Sequence, residues 1–159
     1  MPIGAELSDH PVLRRVRAFN PEAVADAHDF RGQLTIVTSA TLAQAVLEFL
    51  KNDLELRFNF LVDLTAVDRY PLEPRFEVVY HLRSMNSGRR LRLKAMVSGE
   101  QAVIDSVVSL WPVADMLECE VYDLFGIQFA GHPNLRRLLM PDDWEGHPLR
   151  KDYPVEGYR

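Results

Sequence analysis

FEVVYHLRSMNSGRRLRLKAMV, Phe76 to Val97, reads as two β-strands around one turn. Phe76, Val78, Tyr80 and Leu82 alternate with Glu77, Val79 and His81, and Leu91, Leu93, Ala95 and Val97 alternate with Arg90, Arg92 and Lys94. Successive side chains of a strand point to opposite faces, so each segment presents one apolar face and one mostly polar face. Asn86-Ser87-Gly88 supplies the turn residues between them. The spacing predicts a hairpin in a sheet covered on one side only, and the cover must come from other parts of the chain.

Working outward, Thr41 with Gln44 has the spacing of a capping box ahead of Leu42, Val46, Phe49 and Leu50, which share one helix face. Asp9-His10-Pro11 and Asn20-Pro21 each place a cap and a first-turn proline before apolar residues, which predicts two short N-terminal helical pieces. Gln33 to Val37 is β-prone, and Phe58, Phe60 and Val62 alternate as a further strand. Ser98 with Gln101 reads as the cap of a helix carrying Val103, Val107, Leu110 and Trp111, ended by Pro112. The expected order is helix, strand, helix, three strands, helix. That order describes an α+β, two-layer domain over residues 1–117, with a mixed or antiparallel sheet covered by helices.

Residues 118–159 read differently, as an extended C-terminal arm. Gly131, Pro133, Pro141, Gly146, Pro148 and Pro154 punctuate the segment, and its apolar residues come in bursts too short to close a core. Trp144, Tyr122, Tyr153, Arg136, Arg137 and Arg150 lie in it, and Trp, Tyr and Arg are the types that dominate interface energetics. The arm is therefore expected to bury its aromatics against other polypeptides.

Composition narrows the chemistry. Of 159 residues, 47% are hydrophobic and 26% charged, the ordinary values of a globular domain. Charged residues interrupt every apolar run, so no membrane-spanning helix is expected. The N-terminal stretch has neither the apolar core of a secretory signal nor the character of an organelle-targeting peptide. One cysteine, Cys119, supplies neither an internal disulfide nor the four thiolates of an iron–sulfur cluster. Flanked by Glu118 and Glu120, it reads as a small packing residue. A net charge of −5 disfavours nucleic-acid binding, and the Arg90, Arg92, Lys94 stripe lacks the aromatic platform that would stack bases.

Glu118, Glu120, Asp123, His132, Asp142, Asp143, Glu145 and His147 would interest a search for a metal or hydrolytic site. Yet His132 and His147 match no ligand spacing, and neighbouring Arg136, Arg137, Arg150 and Lys151 make ion pairs the simpler reading. No phosphate-cradling glycine motif occurs. The chain is expected to have no catalytic, cofactor or metal residues of its own. His10, His28 and His81 have no evident partners and are expected at surfaces or edges.

Glu118, Glu120, Asp123, Leu124, Phe125, His132, Arg136, Leu138 and Leu139, followed by MPDDWEGHPLRKDYP from Met140 to Pro154, resemble the signature of a family of respiratory complex I proteins: the 30 kDa, C-type subunit of proton-translocating NADH-quinone oxidoreductase. FNFLVDLTAVDRYPLEPRFEVVYHLRS is similar to that family's central strands, so the resemblance spans most of the chain. Cys119 departs from it, standing where the family carries arginine and removing a guanidinium fork.

The resemblance implies a structural, non-catalytic subunit of the complex's peripheral arm. FMN and iron–sulfur clusters would belong to partner subunits. The chain would touch subunits D, B and I, meet quinone only through the complex, and sit peripherally on the cytoplasmic side of a bacterial inner membrane. The interface residues it points to are Tyr122, Asp123, His132, Arg136, Arg137, Asp142, Trp144, His147, Arg150, Lys151, Asp152 and Tyr153. The alternative is the equivalent subunit of a membrane-bound hydrogenase or a ferredoxin-linked quinone oxidoreductase.

Overall fold

A computed structural model describes Leu7 and residues 9–158, so most of the N-terminal stretch that precedes Asp9 lies outside it. Helix α1 (Pro11–Phe19) and a single 3-10 turn (Pro21–Ala23) are the two N-terminal helical pieces. His10 caps α1 by accepting the Val12 N–H, and Asn20 caps the turn by accepting the Glu22 N–H. There follow β1 (Asp26–Phe30), β2 (Gln33–Ser39), α2 (Ala40–Asn52), β3 (Phe60–Asp68), β4 (Phe76–Arg83), β5 (Arg90–Val97), β6 (Val103–Asp105), α3 (Ala114–Phe125) and β7 (Gln128–Ala130).

The fold is α+β, as expected, with a five-stranded mixed sheet ordered β1-β2-β5-β4-β3. The β4–β5 hairpin forms in the register that its alternation requires, pairing Tyr80 with Leu93 and Leu82 with Leu91. Within this sheet β2 and β5 run parallel and the other neighbours antiparallel. A parallel pair needs a long crossover, and α2 with β3 and β4 provides it.

Leu34 and Ile36 of β2, Leu64 and Ala66 of β3, Val78 and Tyr80 of β4, and Leu91 and Leu93 of β5 face one core. Leu13 and Val16 of α1 and Val46, Leu47 and Leu50 of α2 close it. Burying each such aliphatic side chain contributes about 1.5–3 kcal/mol. The opposite face keeps charge, where Lys94 pairs with Glu77 at 2.9 Å.

Four local expectations need correction. Ser39, not Thr41, occupies the cap position of α2; Thr41 Oγ1 lies 3.0 Å from Ser39 Oγ, and Gln44 instead donates to the Ser106 carbonyl. Phe58 is buried before β3 begins, while Phe60 and Val62 sit on its exposed side, and the register shifts between Leu61 and Asp63. The helix expected after Ser98 is instead strand β6 and turns, with Ile104 and Val107 buried one element apart. Finally, the boundary expected between residues 117 and 118 falls inside α3, and β7 then pairs in parallel with β6. Regular structure therefore reaches Ala130.

Candidate partner-docking surface

α3 stops at Gly126, which takes the left-handed conformation at φ 74° and donates its N–H to the Tyr122 carbonyl. A helix leaves its last carbonyls without intrahelical donors. Here the returning arm supplies them. His147 Nδ1 donates to the Asp123 carbonyl at 2.8 Å, the Leu149 N–H to Leu124 at 3.0 Å, and Arg150 Nε to Phe125 at 2.6 Å. Arg150 also brings positive charge to the negative end of the helix dipole. The arm is thus the C-terminal cap of α3. Gly126 makes room for it, because a Cβ there would come within 2.6 Å of His147 and 2.7 Å of Arg150.

Asp123 organises the first half of the arm from inside. Its Oδ2 accepts the N–H groups of Leu138, Leu139 and Met140 at 3.0, 2.7 and 2.9 Å, and its Oδ1 takes Arg137 at 2.8 Å. Burial opposes its ionisation, yet these donors hold its pKa below the ordinary carboxylate value. Arg137 also donates to the carbonyls of Trp144 and Gly146, so the guanidinium fixes the next turn of the arm.

A second fastening joins the arm's end to the sheet. The Arg75 fork binds Asp68 through Nε and Nη2 at 2.9 and 2.8 Å, and binds Asp152 through Nη1 and Nη2 at 3.0 and 2.7 Å. The Lys151 N–H adds a 2.8 Å bond to Asp68. Burial pushes Asp68 upward, but Arg75 and the amides of Lys151 and Tyr70 outweigh it and hold the group down to about 2. Arg75 and Arg150 both stack on Phe76, at 5.0 and 5.4 Å from its ring centre.

Beneath the arm, Glu118 is fully buried and accepts Ser106 Oγ–H at 2.6 Å and the Val107 N–H at 2.7 Å. Burial raises its pKa, partly countered by those bonds and by His132. Asp115, Cys119 and His132 are the one group of ligand-type side chains brought together among the described residues. Their atoms form a hydrogen-bonded bracket: His132 Nδ1 accepts the Asn134 N–H at 3.0 Å, which leaves the ring proton on Nε2, 3.1 Å from the Asp115 carboxylate. A metal-bound histidine instead offers a bare nitrogen to the ion and donates from the other, so this tautomer does not suit one. Cys119 is buried, as a packing residue should be.

The twelve expected interface residues separate into three groups. Asp123, Arg137, His147, Arg150 and Asp152 are engaged within the chain, and His132 is buried against Asp115. Tyr122 and Tyr153 are half-buried, edge-on to His147 and Tyr158 respectively. Arg136, Asp142, Trp144 and Lys151 are exposed, and among the described residues their side chains make no ion pair. Beside them, Leu139 is 62% exposed, Leu149 51% and Trp144 39%. Arg137, His147 and Arg150 turn their polar atoms inward, while Leu139, Trp144 and Leu149 face out. Sequence reasoning missed Asp68, Arg75 and Gly126. Only Gly126 left a signal, as a glycine after an apolar burst that ends a helix.

The chain is thus an α+β domain whose C-terminal segment caps its own last helix and turns Leu139, Trp144 and Leu149 outward. The chain belongs to the family described as respiratory-chain NADH dehydrogenase, 30 Kd subunit, whose pattern matches residues 36–159. It is 48% identical over 149 residues to the C-type NADH-quinone oxidoreductase subunit of Roseiflexus sp. (strain RS-1), covering 94% of this chain and 86% of that one. It is 50% identical over 135 residues to the same subunit of Citrifermentans bemidjiense, covering 85% and 83%. Among solved structures it resembles a trypsin-resistant fragment of Nqo5, with TM-score 0.67 and 35% identity over 78% of this chain and 96% of that chain. It also resembles a chain of the membrane-bound sulfane sulfur reductase, an archaeal respiratory membrane complex, with TM-score 0.74 and 26% identity over 91% and 84%. No helix among the described residues is long and apolar enough to cross a membrane.

Proposed function

We propose that this chain is a structural subunit of the peripheral arm of a proton-translocating NADH-quinone oxidoreductase, without catalysis or cofactors of its own. FMN and iron–sulfur clusters would reside in partner subunits, and quinone would be met only through the complex. The observation that carries this reading is the polarity of residues 131–158: backbone donors saturate inward, while Leu139, Trp144 and Leu149 stand exposed. Such side chains lose free energy only when a neighbour covers them. Subunits D, B and I are the proposed neighbours, on the cytoplasmic side of the membrane. Similarity to the sulfane sulfur reductase chain keeps the equivalent subunit of a related membrane complex as a second reading.

A Trp144→Ala, Leu139→Ala double variant tests the docking role in the purified complex. It should leave the melting temperature of the isolated chain nearly unchanged while lowering recovery of this subunit with its neighbours. Quinone reductase activity should fall only in proportion to lost complex. Intact complexes at native stoichiometry would show that the arm does not dock.

A further inference from the structure

The end of the sheet remote from the arm carries a different surface. Arg83 and Arg90 are direct cross-strand partners in the β4–β5 ladder, both exposed. Like charges placed opposite one another destabilise a sheet pair. Arg89 adjoins them at the hairpin, and Arg31 and Arg57 each adjoin a residue lining the same cavity, Gly32 and Phe58. Among the described residues, none of these five arginines makes an ion pair. Arg31 and Arg57 are also the described non-glycine residues with positive φ, at 55° and 43°. The opposed pair and the two left-handed arginines each cost stability, and they coincide with a cluster of cations at one end of a chain whose net charge is −5.

Two open cavities flank Arg90. One, of about 270 Å³, has apolar walls from Val12, Leu34 and Phe58; the other, of about 350 Å³, is bounded by Arg83, Val62 and His81. Asp63 lines the second, but its Oδ1 accepts the Leu64 N–H and it makes no ion pair with the arginines. Exposed Phe60, Val62 and Met85 extend the apolar part of the surface.

We propose that this arginine-rimmed end is a second docking surface, built for a short stretch of partner polypeptide that alternates acidic and apolar side chains. Guanidinium forks match carboxylates, and the apolar-walled cavity beside Arg90 takes a side chain between them. A long polyanion fits less well. Past the arginines it would run along a surface whose net charge is negative. The surface is independent of the arm, so either can fail without the other.

The test uses the full chain and a short, labelled peptide of alternating Glu and Leu, followed by fluorescence anisotropy at low salt. The peptide should bind, its Gln-for-Glu counterpart should not, and an Arg83→Gln, Arg90→Gln variant should weaken binding about tenfold or more. An Arg14→Gln, Arg17→Gln variant of α1 should bind as the parent does. Relieving the opposed pair should also raise Tm in the Arg90→Gln single variant, which a structural arginine would not do. Equal binding of both peptides, equal loss in the α1 variant, or a lower Tm at Arg90→Gln would each overturn the proposal. So would tighter binding to phosphatidylglycerol vesicles or to polyuridylate than to the peptide.

Discussion

Arg137 and Asp123 form an ion pair at 2.8 Å in which the carboxylate is wholly buried and each member fastens a different part of the arm. Asp123 gathers the amides of Leu138 to Met140, and Arg137 gathers the carbonyls of Trp144 and Gly146. The pair sits on the last turn of α3, so the helix end and the path of the arm are fixed by one charge. A buried pair of this kind contributes little net stability over an apolar substitute, but removing one partner is costly.

Asp123→Asn should therefore cost about 3 kcal/mol in urea unfolding, because an amide cannot accept from three backbone N–H groups and a guanidinium at once. Trypsin should also cut faster at Arg136, Arg137 and Arg150. A loss under about 1 kcal/mol would mean that the amides find water instead, and that the arm is not held from this point.

Gly126→Ala tests the same junction through space rather than charge. A left-handed alanine costs about 1–2 kcal/mol, and the new Cβ meets His147 and Arg150 closer than real contacts allow. The variant should lose roughly that much stability and release the arm to proteolysis. An unchanged cleavage pattern would show that His147 and Arg150 can cap α3 from elsewhere.

These junctions explain which parts of the fold were legible in sequence. The β4–β5 hairpin was plain because Tyr80, Leu82, Leu91 and Leu93 bury one strand face while charge occupies the other. α2 was visible for the same reason at helical spacing. β1 was not, since of Asp26–Phe30 only Ala27 is buried. α3 escaped because two of its core-facing positions are Glu118 and Asp123, which break the apolar period on which helix recognition depends. Val103 and Val107 imitated a helix face by four-residue spacing alone, although a strand and a turn separate their surroundings. In the arm, residue types raised the expectation of outside partners, but they could not tell that Arg137, Arg150 and Asp152 satisfy partners within the chain. Asp68 and Arg75 are seven positions apart around a proline loop, and Asp152 comes from far downstream. No short-range pattern joins them.

Glu118 should respond to pH in the opposite sense from the arm's aspartates. Its folded pKa is raised by burial, so ionisation costs the folded state stability as pH rises from the unfolded value through the folded one. Glu118→Gln removes that cost while keeping a hydrogen-bonding head beside Ser106 and Val107. Its stability relative to the parent should therefore improve between pH 4 and pH 7, and at neutral pH should lie within about 1 kcal/mol of it. Glu118→Ala should lose about 2–3 kcal/mol at both, since it strands a buried hydroxyl and N–H. A Gln variant that weakens with rising pH would show that the carboxylate is held in its charged form.

Asp68 carries the acid limb of stability. Its pKa falls from 3.8 to about 2 on folding, a change worth about 2 kcal/mol. Because the folded value is the lower one, this stabilisation is complete above about pH 4 and is lost as pH drops toward 2. Asp152 and Asp123, also depressed, act in the same direction. The arm's end should detach in that window, read as a gain in Tyr153 and Tyr158 accessibility before global unfolding. Arg75→Lys isolates the cause: an ammonium cannot hold two carboxylates through paired forks, so the acid midpoint should move upward and stability at neutral pH should drop by about 1–3 kcal/mol. If the acid midpoint of Arg75→Lys matches that of the parent, the backbone amides of Lys151 and Tyr70 hold Asp68 without the guanidinium, and Arg75 serves only to tether Asp152.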